Sequence, residues 1–242
     1  MARFDRFLRC SLLSAMLVAP LIGSTGCANS RFGSELEMRP KPFVVDTVEG
    51  TSFNLPELKP FSIALPSANK KAGLEGQVDA DAVAAGNGTA EASASVTHGG
   101  TATGTFQLGH GFKNDTDRLT DFNFTIRFHY AFELSASPAS GYPDAQVGLN
   151  LYARGPHGLL LREMTLVQHS TDLGAADREA DETLHFTLAL GPGDTAEVFL
   201  AGRVHSEIRE GRSAEGMLKL SDVRMEVVTK PAPAVRTADH EQ

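Results

Sequence analysis

Between residues 121 and 134 the chain alternates strictly. Phe122, Phe124, Ile126, Phe128, Tyr130, Phe132 and Leu134 take the even positions, and Asp121, Asn123, Thr125, Arg127, His129 and Glu133 stand between them. A repeat of two residues is that of a β-strand with one dry and one wet face. Burying a large apolar side chain is worth roughly 1.5 to 3 kcal/mol. So many on one face predict a strand at the centre of a sheet.

Two quieter runs precede it. Val78, Ala80, Ala82 and Ala84 share one phase, Asn87-Gly88 follows, and Ala90, Ala92, Ala94 and Val96 share a phase again. Asn-Gly between alternating runs predicts a hairpin with a type I′ turn, because both residues tolerate positive φ. Alanine is a poor strand former, so a strip of it implies a bulky surface opposite and predicts that this hairpin faces the aromatic strand. Further runs occur at Val147, Leu149 and Leu151, at Leu184, Phe186, Leu188 and Leu190, and at Ala196, Val198 and Leu200 on to Val204 and Ile208. Gly191-Pro192-Gly193-Asp194 turns between the last two. The final run shifts phase near Ser221-Asp222, from Leu218 and Leu220 to Val223, Met225 and Val227, which predicts a bulge or a turn. Roughly eight to ten half-buried strands joined by short turns, with no helix, predict an all-β chain folded as an antiparallel β-sandwich of jelly-roll type. A closed outer-membrane barrel is disfavoured: it carries aromatic girdles, and this chain has no Trp, three Tyr and strands of uneven length.

Proline places the boundaries. Pro40, Pro42, Pro56 and Pro60 among mixed charges mark residues 27–60 as an extended tether, and Pro231 and Pro233 mark 229–242 as a disordered tail. The sandwich is expected over 61–228. Within the tether, residues 48–55 look superficially like the opening of a thioredoxin-like peroxiredoxin, yet no redox cysteine follows.

The first residues follow a different logic. Arg3, Arg6 and Arg9 precede an apolar stretch of 13 residues from Cys10 to Ile22, and small residues follow from Gly23 to Gly26. That order is a secretory signal peptide over 1–26, and the stretch is shorter than the roughly 20 residues of a spanning helix. Ser24-Thr25-Gly26-Cys27 resembles the lipobox of bacterial lipoproteins, with Ser24 where that family prefers Leu. The resemblance covers the signal region alone. It implies lipid on Cys27 and residence in the cell envelope, with Ala28 pointing to the outer membrane. The alternative is ordinary cleavage after Ala28. Cysteine usage favours the anchor: of two cysteines Cys10 is removed with the signal, and an unpaired Cys27 thiol would be a liability in an oxidising compartment.

Residues 1–26 hold three basic and one acidic residue; without them 19 basic residues stand against 29 acidic, a net charge of −10. Such a body repels nucleic acid and anionic lipid. No nucleophile elbow, His-Glu-x-x-His helix, paired-cysteine motif or phosphate loop occurs, and no cofactor is implied. The Gly-rich stretch 98–104 lacks a lysine and a following helix, so it reads as a turn and a loose strand. His98, His110, His129, His157, His169, His185, His205 and His240 are scattered, with His129, His185 and His205 on polar phases. Asn114, Asp115 and Asp117 with Asp121 offer oxygen ligands that calcium could use, against the reading of an Asx turn, which is favoured. Glu133, Glu163 and Glu197 read as exposed-face carboxylates, and the sequons at Asn87, Asn114 and Asn123 as incidental in a bacterium.

These features predict a non-catalytic lipoprotein whose sandwich binds, or helps assemble, another envelope protein, an exposed edge strand being the natural docking place. A carbohydrate-binding module is the alternative; Tyr142 and Tyr152 are the aromatics left for sugar stacking. An enzyme would need a hydrolytic constellation that no motif supplies.

Overall fold

The computed structural model describes residues 45–47, 52–138, 141–142, 144–209 and 211–231, all within one compact unit. The expected signal peptide over 1–26 and Cys27 lie outside the described residues. Twelve strands follow one another: β1 (Val45–Thr47), β2 (Ser52–Leu55), β3 (Ile63–Ala72), β4 (Gln77–Ala85), β5 (Thr89–Thr97), β6 (Gly100–Lys113), β7 (Thr120–Ser137), β8 (Ala145–Arg154), β9 (Leu160–Ser170), β10 (Ala176–Leu190), β11 (Thr195–Ile208) and β12 (Ser213–Pro231). Two three-residue 3-10 turns, at Pro156–Gly158 and Thr171–Leu173, are the only helical elements among the described residues.

The strands form two sheets. In sheet A the order is β6-β11-β8-β9, with β3 and the parallel β1 sharing one side of β6; in sheet B it is β10-β7-β12-β5-β4, with β2 beside the far end of β12. All pairs but β1 with β6 are antiparallel. Pairs β5 with β12, β6 with β11, β7 with β10 and β8 with β9 nest inside one another. That nesting is how a long antiparallel ribbon winds into a jelly roll.

The aromatic strand stands where its pattern puts it. β7 is flanked by β10 and β12, and its even-numbered side chains from Phe122 to Leu134 are all buried. Phe124 stacks on Phe186 of β10 at 4.9 Å and meets Phe112 of β6 edge-on at 5.3 Å, which ties the two sheets together. The alanine hairpin also forms in the expected register, with Val78, Ala80, Ala82 and Ala84 opposite Val96, Ala94, Ala92 and Ala90. Its turn differs. Ala85 pairs with Thr89, leaving Gly86, Asn87 and Gly88 as a three-residue loop in which Gly88 alone has positive φ, at 94°. The φ > 0 position falls after the asparagine, not on it.

What faces the hairpin is a correction. The aromatic strand lies in the hairpin's own sheet, and across the sandwich stand Gly100, Ala102 and Gly104 of β6. A Cβ on Gly104 would lie 2.5 Å from the Asp81 carbonyl oxygen and 2.6 Å from that of Ser93. Ser206 of β11 donates to the Ala94 carbonyl across the same gap at 3.1 Å. Small residues face small residues here, so the sheets close almost backbone to backbone.

The sandwich also reaches beyond 61–228. Ser52-Phe53-Asn54-Leu55, expected in the tether, pairs with β12 and buries Phe53 and Leu55, and β12 runs on to Pro231, inside the expected tail. The phase change in β12 is a bulge between Ser221 and Arg224 with Asp222 at φ 53°, and it docks on the hairpin turn where the Val223 N–H donates to the Gly88 carbonyl at 3.1 Å.

Candidate functional site

The outward phase of sheet B carries a shallow groove of about 700 Å³. Strand register builds it. Asp79 of β4 stands opposite Ser95 of β5, Ser95 opposite Glu215 of β12, and Glu215 opposite Ser135 of β7. One step along, Ser93, Met217, Glu133 and Asp177 form a second row from β5 to β10. Neighbouring strands lie about 4.8 Å apart, so each row lays polar groups at that pitch across the sheet. Most of the side chains are short, which keeps the surface concave.

The groove is acidic. Asp79, Glu133, Asp177 and Glu215 supply carboxylates and Ser93, Ser95 and Ser135 supply hydroxyls, over an apolar floor that includes Met217. Ser135 Oγ donates to Glu215 Oε1 at 3.0 Å, orienting that carboxylate. Asp79 accepts from Lys70 Nζ at 2.6 Å, and this hydrogen bond and charge hold its carboxyl below the usual range. Beyond the groove on the same face, His129 Nδ1 meets Asp181 at 3.0 Å and Nε2 meets Glu179 at 3.1 Å. The Asp181 hydrogen bond leads in raising its pKa, opposed by desolvation and helped by the charges of Asp181, Glu179 and Asp222. The other outward histidines take hydroxyl partners: His185 Nδ1 with Thr125 at 3.2 Å and His205 Nδ1 with Thr103 at 2.8 Å. Among the described residues no three His, Cys, Asp or Glu side chains gather as a metal site.

The remaining sequence candidates disperse. Tyr142 is exposed on the loop after β7, with Arg212 over its ring at 5.9 Å. Tyr152 lies on the outward phase of sheet A, buried and stacked on Phe199 at 5.5 Å, and its hydroxyl donates to Glu163 Oε1 at 3.2 Å. Burial first, then Glu163, push its phenol up to about 12. Neither tyrosine reaches the groove. Glu197 sits opposite Arg154 on sheet A, its pKa raised by burial against the pull of that arginine. Asn114 is fully turned inward: Nδ2 donates to the carbonyls of Arg118, Leu190 and Gly191 at 2.9, 2.8 and 3.1 Å, and Oδ1 accepts from Thr116 N and Oγ1. Asp115 pairs with Lys113 at 3.1 Å. This is the Asx turn, with its oxygen committed to the backbone. His110, scattered in sequence, is buried in the core phase of β6 and accepts the Ser62 N–H at 3.0 Å.

Fold and surface define an antiparallel β-sandwich with an acidic sheet-face groove. Compared with family models and with curated proteins, the chain matches none. Among solved structures it is similar to an arabinose-bound α-L-arabinofuranosidase (9% identity over 66% of this chain and 23% of that one, TM-score 0.27). It is also similar to the structure of infectious bursal disease virus, Gt strain (11%, 82% and 41%, TM-score 0.25). A third likeness is to carbohydrate-binding modules of the β-sandwich superfamily (13%, 65% and 55%, TM-score 0.18). The chain thus spans 23% to 55% of their lengths, and likenesses at these scores bear on neither ligand nor activity.

Proposed function

We propose that the chain is a lipid-anchored, non-catalytic binding module of the bacterial envelope, held by Cys27 and presenting the sheet B groove to another envelope protein. The observation that carries the reading is the groove: five strands contribute outward carboxylates and serines to one concavity, and no histidine or cation among its lining residues would activate a nucleophile or stabilise an oxyanion there. Its carboxylates accept hydrogen bonds and attract cationic groups. Pull-down of tagged protein from crosslinked envelopes tests this. A specific partner recovered by the wild type and lost with Glu215→Arg is the expected result; equal recovery by both sinks the groove. Labelling with a clickable fatty acid, lost in Cys27→Ser, tests the anchor separately.

A glycan is the second reading. The observation favouring it is the mix of hydroxyls and carboxylates at strand pitch, which suits a polyhydroxylated ligand. A glycan-array signal lost with Glu133→Ala would move the conclusion there.

A further inference from the structure

The sandwich is not closed on all sides. β9 and β10 are edge strands of the two sheets and do not pair with each other, and the Arg162 side chain of β9 reaches Phe186 of β10. Inward-phase side chains along this seam stay partly exposed: Met164 and Leu166 on β9, Ala176, Ala180 and Leu184 on β10. Two polar side chains mark its ends. The Arg162 guanidinium lies over the Phe186 ring at 5.4 Å, and the His169 ring packs by Phe132 at 5.9 Å. Arg162 Nε and His169 Nε2 are buried without a hydrogen-bond partner among the described residues. Exposed leucines stand just outside both ends, Leu160 and Leu161 at one and Leu173 at the other. Such a seam sets partly exposed apolar side chains, with Arg178 and Glu182 between them, beside free strand edges, and leaves two buried nitrogens unmatched.

The two edges are not equivalent. β9 breaks register with β8 twice, at Leu149/Asn150 and Ala153/Arg154, and such irregularities blunt an edge. β10 pairs with β7 from Ala176 to Leu190 without one shift, so every second residue turns its N–H and C=O outward along a regular line. Its outward phase carries Asp177, Glu179 and Asp181 in succession, while its inward phase alternates Ala176, Ala180 and Leu184 with Arg178 and Glu182. A second copy of this strand would set carboxylates against carboxylates, which disfavours self-pairing. The complement is a strand with cations on one phase and apolar residues on the other.

We propose that the β9–β10 slot receives an extended segment of another polypeptide, alternating apolar with Lys or Arg residues, which adds as a strand to the free edge of β10. Its apolar side chains cover Ala180, Leu184, Met164 and Leu166, its cations meet Asp177, Glu179 and Asp181, and its carbonyls come within reach of Arg162. The groove can fail as a binding site without touching this inference, and the reverse holds too.

The test uses detergent-solubilised full-length protein and a fluorescently labelled peptide of about ten residues alternating valine with lysine. A valine–glutamate peptide and a valine–lysine peptide with a central proline are its controls. The lysine peptide should bind about tenfold or more tightly than the glutamate one, proline should abolish binding, and β10 amides should gain protection from hydrogen exchange. Glu179→Lys and Asp181→Lys together should reverse the preference, whereas Glu215→Arg in the groove should leave it unchanged. Absence of binding, equal affinity for both charge types, or full affinity of the proline peptide would overturn the proposal, and all three readings use the wild-type fold.

Discussion

Replacing Gly104 by alanine probes the closest approach of the two sheets. The added Cβ would lie 2.5 Å and 2.6 Å from the carbonyl oxygens of Asp81 and Ser93 and 3.0 Å from the Ser93 nitrogen. A carbon wants about 3.3 Å or more from such an oxygen, so the β4–β5 hairpin must retreat by about 0.8 Å. Neither oxygen can swing aside, because both belong to paired strands. Retreat loosens the contacts of Ala92 and Ala94 and stretches the 3.1 Å hydrogen bond from Ser206 to the Ala94 carbonyl. Overpacking of this kind costs about 1 to 3 kcal/mol and a weakened buried hydrogen bond about 1 kcal/mol more. Loss of glycine freedom in the unfolded chain returns about 0.4 to 1 kcal/mol. The net is roughly 1 to 3 kcal/mol, a fall in Tm of about 3 to 10 °C for a chain of this size. Calorimetry of the variant beside the wild type reads it directly. An unchanged or raised Tm would mean that the sheets do not touch at Gly104.

Three further outcomes follow from other contacts. Asn114→Ala removes an amide whose two N–H groups serve three carbonyls at a buried turn and should cost about 2 to 4 kcal/mol in denaturant unfolding; a wild-type Tm that rises with added calcium would contradict the turn reading. His129 holds its proton more firmly folded than unfolded because of Asp181, so its stabilisation is full below about pH 6.5 and fades as pH climbs through the raised value; His129→Asn should flatten that part of the Tm–pH curve. Tyr152, at about 12 when folded, ionises sooner in the unfolded chain, so stability should fall between about pH 10 and about pH 12, and Tyr152→Phe should remove that slope from alkaline unfolding curves.

Some of this was legible in the residues. β7 reads from its alternation alone, because a strand covered on one face and paired on both sides needs no compromise in its pattern. The hairpin register and the β12 bulge read for the same reason, each being set by local phase. The partner of the alanine strip did not read, since a small residue fits equally under a bulky neighbour or against glycine, and only the pairing of β6 with β3 and β11 brings Gly104 there. Prolines disguised β2: Pro56 and Pro60 lie after Leu55 and do not interrupt its pairing with β12. β10 was visible only from Leu184 on, because its first half is an edge whose inward phase includes Arg178 and Glu182. Of the groove, Glu133 was noticed as an exposed carboxylate, but its neighbours come from four other strands and meet only through register.

That register also argues that the acidity of the groove is more than solvation. A solvated sheet face mixes charges of both signs, and sheet B does so only farther along. Past the groove, Lys219 pairs with Glu91 at 3.6 Å, and beyond His129 the cations Arg127, Arg224 and Lys230 share the face with Glu226 and Asp121. The two ends of one face therefore differ, charges of both signs at one and carboxylates collected at the other, where serines and alanines make the surface concave. Short side chains beside the carboxylates leave room for a ligand to approach the sheet, whereas a face selected for solubility alone would carry long ones. The acidic run continues onto the β10 edge through Asp177, Glu179 and Asp181, so one field of negative potential spans both the groove and the slot. A cationic partner drawn to either would be steered to both, and its association rate should fall as salt shortens the reach of that field to about 8 Å at physiological ionic strength.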